Sequence, residues 1–349
     1  MNQLAKYGAV AAKVRTLWGM RLKPEDYRRM AAMTKVAEIA AYLRVHPRWG
    51  RALEGSPLTE MRRGELELLL REYCLEEFLR LYSYLEAGDK ELVRLPVLTL
   101  ELEQIMRYLR LARTGRAAEY SFQPSAFFAR HSKINYRALS NASTYEGLLE
   151  AVSGTGFAPV LQKLELEEGG FPSFVQMEAA ALGHYYRSRY QLAEKRPRGA
   201  LRDRLLANIG LQAEVHNITT ILRLKMHYPS AQAHLLSYLL PINYKLRPAF
   251  VRQLVSAATA AEVLALLKTS YYGPYVEGAE QEPEKMAARI RFDVARRGIH
   301  EPMPTVIAPL AFLYLTEMEL RNIIHVVECV RYGLPAERTM TFITGGDGA

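Results

Sequence analysis

Cysteine is scarce in this chain, which carries only Cys74 and Cys329 in 349 residues, both inside apolar helical patterns. A secreted scaffold stapled by disulfides needs paired, regularly spaced cysteines, so that class is excluded and both read as core thiols in a reducing, cytoplasmic setting. Long apolar runs are missing too. Lys6, Lys13 and Arg15 interrupt the one apolar stretch ahead of Trp18, which excludes a secretory signal and gives the expectation that the protein is not exported. The longest run, Met303 to Leu315, contains Pro304 and Pro309. It falls short of the roughly 20 apolar residues that a spanning helix needs, so no transmembrane segment is expected.

The motifs of catalysis are absent as well. No glycine-rich loop ends in Gly-Lys-Ser/Thr and no Gly-x-Gly-x-x-Gly follows a strand, so neither standard nucleotide cradle is present. Cys-x-x-Cys, His-Glu-x-x-His and repeated Glu-x-x-His are all lacking, which leaves zinc and di-iron chemistry without a ligand set. His216, His227 and His234 are the remaining candidates. The first two stand eleven residues apart on one helical pattern, about 16 Å along the axis, too far to share a metal. They read as solvated or hydrogen-bonded histidines. No catalytic residue, metal or cofactor is expected.

What the chain has is helical periodicity, and with 49% hydrophobic residues it has enough apolar material for real cores. Leu66, Leu69, Leu70, Tyr73, Cys74, Phe78, Leu81, Tyr82 and Leu85 recur at steps of three and four, on one face of a long helix. The same period runs through about 7–20, 25–45, 98–113, 172–194, 200–227, 283–297 and 306–332, while alternating strand patterns are rare. The class is all-α. Gly88-Asp89, Thr114-Gly115, Gly169-Gly170, Tyr228-Pro229, Gly273-Pro274 and Tyr332-Gly333 follow helical runs and read as short turns.

The strongest signal is internal repetition. Glu101-Leu-Glu-Gln104-Ile105, Glu214-Val-His-Asn217-Ile218 and Glu319-Leu-Arg-Asn322-Ile323 all read Glu-x-x-(Asn/Gln)-Ile, with 113 and 105 residues between successive glutamates. Ordinary residue usage gives this pattern roughly 0.1 times in such a chain. A second element precedes each: Thr34 to Glu38, Ser143-x-x-Glu146 and Thr259-x-x-Glu262, followed nine to eleven residues after the glutamate by Trp49, Phe157 and Tyr271-Tyr272. The last two read as capping boxes; the first is one residue out of register. These define three helical repeats, 1–117, 118–230 and 231–343, with a disordered tail at 344–349. Glu101, Gln104, Glu214, Asn217, Glu319 and Asn322 carry one of two roles. They hydrogen-bond a neighbouring turn or pair with arginine, or they line a shared surface that faces a partner.

Net charge is +9, which suits nucleic acid, an anionic membrane surface or an acidic partner. The basic residues are spread along patterns such as Arg107 to Arg116 and Arg187 to Arg204, with no continuous run and no aromatic-studded RNA-binding motif. A basic helical scaffold for nucleic acid is therefore the alternative reading, and an enzyme with an unrecognised site a third.

With these residues laid out, the chain resembles the C subunit of archaeal and bacterial A/V-type rotary ATPases, the family that includes the d subunit of eukaryotic V-ATPases. Tyr7 to Leu22, then Glu25-Asp26-Tyr27, is similar to the family's opening Tyr-x-x-x-x-Ala-Arg-x-Arg segment and its Glu-Asp-Tyr continuation, with Lys13 in place of an arginine. Glu319 to Ile323, with Arg331-Tyr-Gly-Leu-Pro-Ala-Glu337 after it, is similar to the family's C-terminal signature, and the likeness runs from about 7 to 343. The middle copy departs most, with Tyr228-Pro229 where the others have glycine. The resemblance implies a funnel of three helical units around a pseudo-threefold axis. It also implies a non-catalytic central-stalk role on the cytoplasmic side of the membrane, peripheral to it. There the chain would link the proteolipid ring to the D and F subunits of the central shaft, and so ion transport to ATP synthesis or hydrolysis, with no nucleic acid as partner.

Overall fold

The computed structural model describes residues 3–85, 87–196, 199–227, 235–277, 279, 282–302 and 305–345. The Tyr228-Pro229 turn, His234, Met303, Pro304 and the last four residues of the expected tail lie outside them. In chain order the helices are α1 (Gln3–Gly19), α2 (Pro24–Ala31), α3 (Val36–Arg44), α4 (Arg63–Ser83), α5 (Ala87–Lys90), α6 (Arg94–Arg113), α7 (Ala126–His131), α8 (Tyr136–Asn141) and α9 (Tyr145–Val152). They continue as α10 (Ala158–Leu161), α11 (Phe174–Glu194), α12 (Ala200–His227), α13 (Pro248–Ser256), α14 (Ala260–Lys268), α15 (Pro283–Ile299), α16 (Ile307–Arg331) and α17 (Ala336–Met340). Among the described residues there is no strand, and the protein is all-α.

The chain forms two compact units, one of residues 1–90 with 285–349 and the other of 91–284. The first is discontinuous because its core needs both ends of the chain. Leu22, Met30, Ile39, Leu43, Trp49, Leu66 and Leu70 from the N-terminal elements pack in one cluster with Leu320, Ile323, Val326, Val327 and Val330 of α16. Each fully buried aliphatic side chain stabilises by roughly 1.5–3 kcal/mol, so neither half can keep its core without the other. In the second unit the long helices α6, α11 and α12 pack together, α8 packs on α9, and α12 packs on α14.

Helix ends follow local chemistry. α6 and α16 close identically: Gly115 and Gly333 adopt φ of 69° and 65°, the N–H groups of Arg116 and Leu334 bond Leu111 and Cys329, and those of Gly115 and Gly333 bond Ala112 and Val330. This is the paired closure that a left-handed glycine permits. Side-chain oxygens of Ser125, Asn135, Thr144, Ser173 and Thr259 cap α7, α8, α9, α11 and α14.

Three expectations need correction. The helical pattern over 25–45 is two helices, because the Glu38 carboxylate accepts from the N–H groups of Thr34 and Lys35 at 2.8 and 3.3 Å and starts α3 there. The cap of α9 is Thr144, not Ser143. That register buries Tyr145, Leu148 and Val152, and the Thr144 hydroxyl accepts from the Gly147 N–H at 3.1 Å. Gly88-Asp89 is not a stop but part of α5, where buried Asp89 accepts from the Tyr7 hydroxyl and pairs with Lys6 at 2.8 Å. Burial, then that contact with Asp89, pushes Tyr7 up to about 12.

Candidate functional site

The three repeated glutamates sit on the long helices α6, α12 and α16, and each is buried. Helical spacing places the Asn or Gln three residues on, one turn further along nearly the same face. Each glutamate reaches the main chain immediately ahead of a pair of short helices. Glu101 accepts from the Lys133 N–H ahead of α8 and from the Ser132 hydroxyl, both at 3.0 Å. Glu214 accepts from three consecutive N–H groups ahead of α13, those of Tyr244, Lys245 and Leu246, each at 2.9 Å. Glu319 accepts from the Leu22 N–H ahead of α2 at 2.8 Å. The third copy therefore closes on the N-terminus, 297 residues upstream.

The aromatic that follows each short-helix pair, Trp49, Phe157 or Tyr272, is fully buried, and two of them complete the same clasps. Trp49 Nε1 donates to Glu319 at 2.8 Å and the Tyr272 hydroxyl to Glu214 at 2.6 Å. Phe157 has no donor, and at Glu101 the Ser132 hydroxyl supplies the second hydrogen bond. Burial, then the Glu214 carboxylate, raises the Tyr272 hydroxyl far above its ordinary value, so it stays a donor at any physiological pH.

The Asn and Gln positions fasten the segment that follows each long helix. Asn217 exchanges two bonds with the backbone of Leu240, donating to its carbonyl at 2.9 Å and accepting from its N–H at 2.8 Å. Asn322 does the same with Thr344, at 2.8 and 3.2 Å. Thr344, the first residue of the expected tail, is thus tied down. Gln104 accepts from the Tyr120 hydroxyl at 3.1 Å.

The clasp at Glu319 carries a further network. The Arg48 guanidinium donates to Glu319 at 2.7 Å, to Glu77 at 2.7 and 3.1 Å, and to Thr316 at 2.7 Å, and Tyr73 donates to Glu77 at 2.9 Å. Burial works against the Arg48 charge, but Glu319 and Glu77 outweigh it and hold its pKa above an already high value. Two buried carboxylates around one guanidinium are tolerated because neutral donors, from Leu22, Trp49 and Tyr73, meet the remaining oxygens. Arg48, Glu77 and Ser132 escape a reading of the sequence. The one local hint is that Arg48 directly precedes the repeated aromatic.

None of the six repeat-motif residues is more than 6% exposed, and each makes at least one hydrogen bond within the chain. The arrangement fixes segment to segment. His216 packs against Tyr186 with ring centroids 6.4 Å apart, and His227 is the exposed last residue of α12. Among the described residues no group of three or more His, Cys, Asp or Glu is placed to hold a metal ion, and no helix is long and apolar enough to cross a membrane.

Residues 10–342 match the family described as ATP synthase (C/AC39) subunit. The C subunit of the A-type ATP synthase of Methanosphaera stadtmanae is 21% identical over 325 residues, spanning 89% of this chain and 80% of that protein. The match begins within α1, ends beyond α17 and takes in all three clasps, and the chain belongs to the ATP synthase (C/AC39) subunit family of rotary ATPases.

Proposed function

We propose that this chain is the non-catalytic connector of the central stalk. It seats on the cytoplasmic face of the proteolipid ring, peripheral to the membrane, and receives the foot of the shaft formed by the D and F subunits. Ion flow turns the ring, and torque passes through the connector to the catalytic head, linking ion transport to ATP synthesis or hydrolysis. In this reading the chain is three repeats, 1–117, 118–230 and 231–343, arranged as a funnel about a pseudo-threefold axis.

The observation that carries the proposal is the threefold clasp. A torque-bearing part must keep its long helices from sliding past the short helices they hold. Buried, geometrically specific hydrogen bonds resist that motion better than a purely apolar contact, whose energy varies little with sliding. The clasps recur once per repeat, and Glu319 joins the last repeat to the first. The basic surface also suits a place beside an anionic leaflet, where each Lys or Arg contributes about 1 kcal/mol.

The test is recovery of the tagged full chain from its native membranes in mild detergent, followed by mass spectrometry. Shaft, proteolipid and catalytic subunits are expected together. Recovery of nucleic acid, or of none of these subunits, overturns the proposal.

A further inference from the structure

We propose that the cleft at the C-terminal ends of α1 and α15 binds a phosphate-bearing anion, gripped by Arg21, Arg296, Arg297 and His300 and framed by Arg15 and Trp18. Such a site adjoins the Glu319 clasp at the Arg21–Leu22 peptide but does not depend on the connector role. The cleft has a volume of about 330 Å³, at the lower end of the roughly 300–1,000 Å³ of small-molecule sites. Its wall holds four guanidinium groups and one imidazole, and no carboxylate.

Like charges gathered in a concavity repel one another and focus a positive potential that attracts an anion. Two helix C-termini meet here, and their carbonyl ends draw some of this charge. That accounts for Arg15, whose Nε and Nη2 donate to the carbonyls of Ile299 and Glu301 at 3.1 and 2.7 Å. It also accounts in part for Arg21, which lies over the Trp18 ring at 4.7 Å and near the Trp18 carbonyl at 3.5 Å. Both side chains are thereby held in place before any ligand arrives, which lowers the ordering cost of binding.

Arg296 and Arg297 add two more guanidiniums to the cleft. Arg296 meets Asp293 at 3.5 Å, and Arg297 Nε donates to the Asp293 carbonyl at 3.2 Å. Asp293 is thus held against Arg296 outside the cleft wall, which itself carries the four guanidiniums. Planar guanidinium forks match phosphate oxygens two at a time, which favours a phosphate monoester or pyrophosphate over a single carboxylate. His300 completes the set. Burial first, then the charges of Arg15, Arg296 and Arg21, hold its pKa below the ordinary value, so in the ligand-free protein it is a neutral donor. A bound anion offsets those charges and lets it take up a proton. The sequence hides the cleft because its two halves, 15–21 and 296–300, are far apart in the chain.

The experiment titrates the full chain calorimetrically with inorganic pyrophosphate at physiological ionic strength. In parallel, the chain is sedimented with phosphatidylcholine vesicles that carry or lack phosphatidylinositol 4-phosphate. The double variant Arg296→Gln/Arg297→Gln is expected to lose about tenfold or more in affinity, as removal of two charge-assisted contacts implies. Arg71→Gln/Arg80→Gln, which removes two exposed charges from α4, is expected to bind as the parent does. Circular dichroism melting checks that both fold. Pyrophosphate binding with this dependence supports the site with a soluble ligand, and vesicle binding with it supports a lipid headgroup. Binding of neither probe, or equal loss in the two variants, overturns the proposal. So does a His300 imidazole whose NMR titration is the same with and without pyrophosphate.

Discussion

Arg48 and Glu319 stand 271 residues apart in the chain and 2.7 Å apart in space, both buried. Because Glu319 also accepts from Leu22 and Trp49, this contact is the centre of a network that ties the N-terminal short helices to α16. Removing Arg48 strands two buried carboxylates, Glu319 and Glu77, and a stranded buried charge costs about 3–5 kcal/mol, whereas removing the Glu319 charge leaves Arg48 paired with Glu77. Arg48→Met is therefore expected to lower the denaturant midpoint strongly, and Glu319→Gln by less. In the double variant the loss should fall short of the sum of the two by about 1 kcal/mol or more, because Glu319 is then no longer stranded and Glu77 alone is left without its cation. Strict additivity would mean that the two side chains act independently.

Asn217 and Asn322 each bond both backbone polar groups of one distant residue, Leu240 and Thr344. Truncation of Asn217 to alanine leaves a buried N–H and C=O unmet at Leu240, at about 1–3 kcal/mol each, and truncation of Asn322 costs less, because Thr344 is half-buried. Asn217→Ala should speed amide hydrogen exchange at Leu240 and leave Thr344 unchanged, and Asn322→Ala should do the reverse. Exchange measured by NMR or mass spectrometry separates the two. Acceleration at both sites in either variant would mean general loosening rather than two local fasteners.

Much of this was open to reading in the chain, and the limits are physical. A 3.6-residue period marks α4 and α11 because each buries one face, while α12 and α16 stand out by apolar residues that are buried around most of the helix. The Glu-x-x-(Asn/Gln)-Ile motif stands out because the same side chains recur at the same place on three helices. Hydrogen-bond partners are another matter. Glu214 holds backbone N–H groups, which every residue but proline has, so nothing in Tyr244, Lys245 and Leu246 advertises the contact. Arg48 reads as one more surface cation until α16 packs over it. The division into two compact units is invisible for the same reason, since it depends on Leu320 to Val330 completing a core begun at Leu22. The break between α2 and α3 turns on a single carboxylate, Glu38, reaching back one residue further than a capping box does.

Two glycines beside the repeated aromatics are fixed by space. A Cβ at Gly50 would lie 2.4 Å from the Arg44 carbonyl oxygen, and one at Gly273 would lie 2.5 Å from that of Lys268. Both obstacles are backbone at the end of a short helix and cannot rotate away. Gly50→Ala and Gly273→Ala are each expected to destabilise by about 1–3 kcal/mol, the usual penalty of overpacking. Gly183, inside α11, has nothing within 4 Å of the place an added methyl group would take, and Gly183→Ala should stabilise by about 0.5–1 kcal/mol through helix propensity. Thermal melting of the three variants gives opposite signs, and a neutral Gly50→Ala would show that the Trp49–Leu53 turn has slack.

Acid should weaken the protein through His46. Its Nδ1 accepts from the N–H groups of Arg48 and Trp49, both at 3.3 Å, and so anchors the turn that delivers Arg48 and Trp49 to Glu319. Burial holds its pKa below the ordinary 6.5; Glu319 and Asp26 oppose the shift and Arg48 adds to it. The unfolded chain therefore binds more protons than the folded one between the lowered value and about 6.5, and stability rises with pH across that window. The contribution is fully present above about 6.5 and is lost as pH falls through the folded value, where the ring must protonate and Nδ1 ceases to accept. Burial lowers His184 in the same direction, so some slope remains whatever happens at His46. His46→Asn keeps an acceptor oxygen near the Nδ1 position without a titrating group. Unfolding free energies measured from pH 8 to pH 5.5 should fall less steeply for His46→Asn than for the parent chain. Parallel curves would remove His46 from the acid response and assign it to the other histidines.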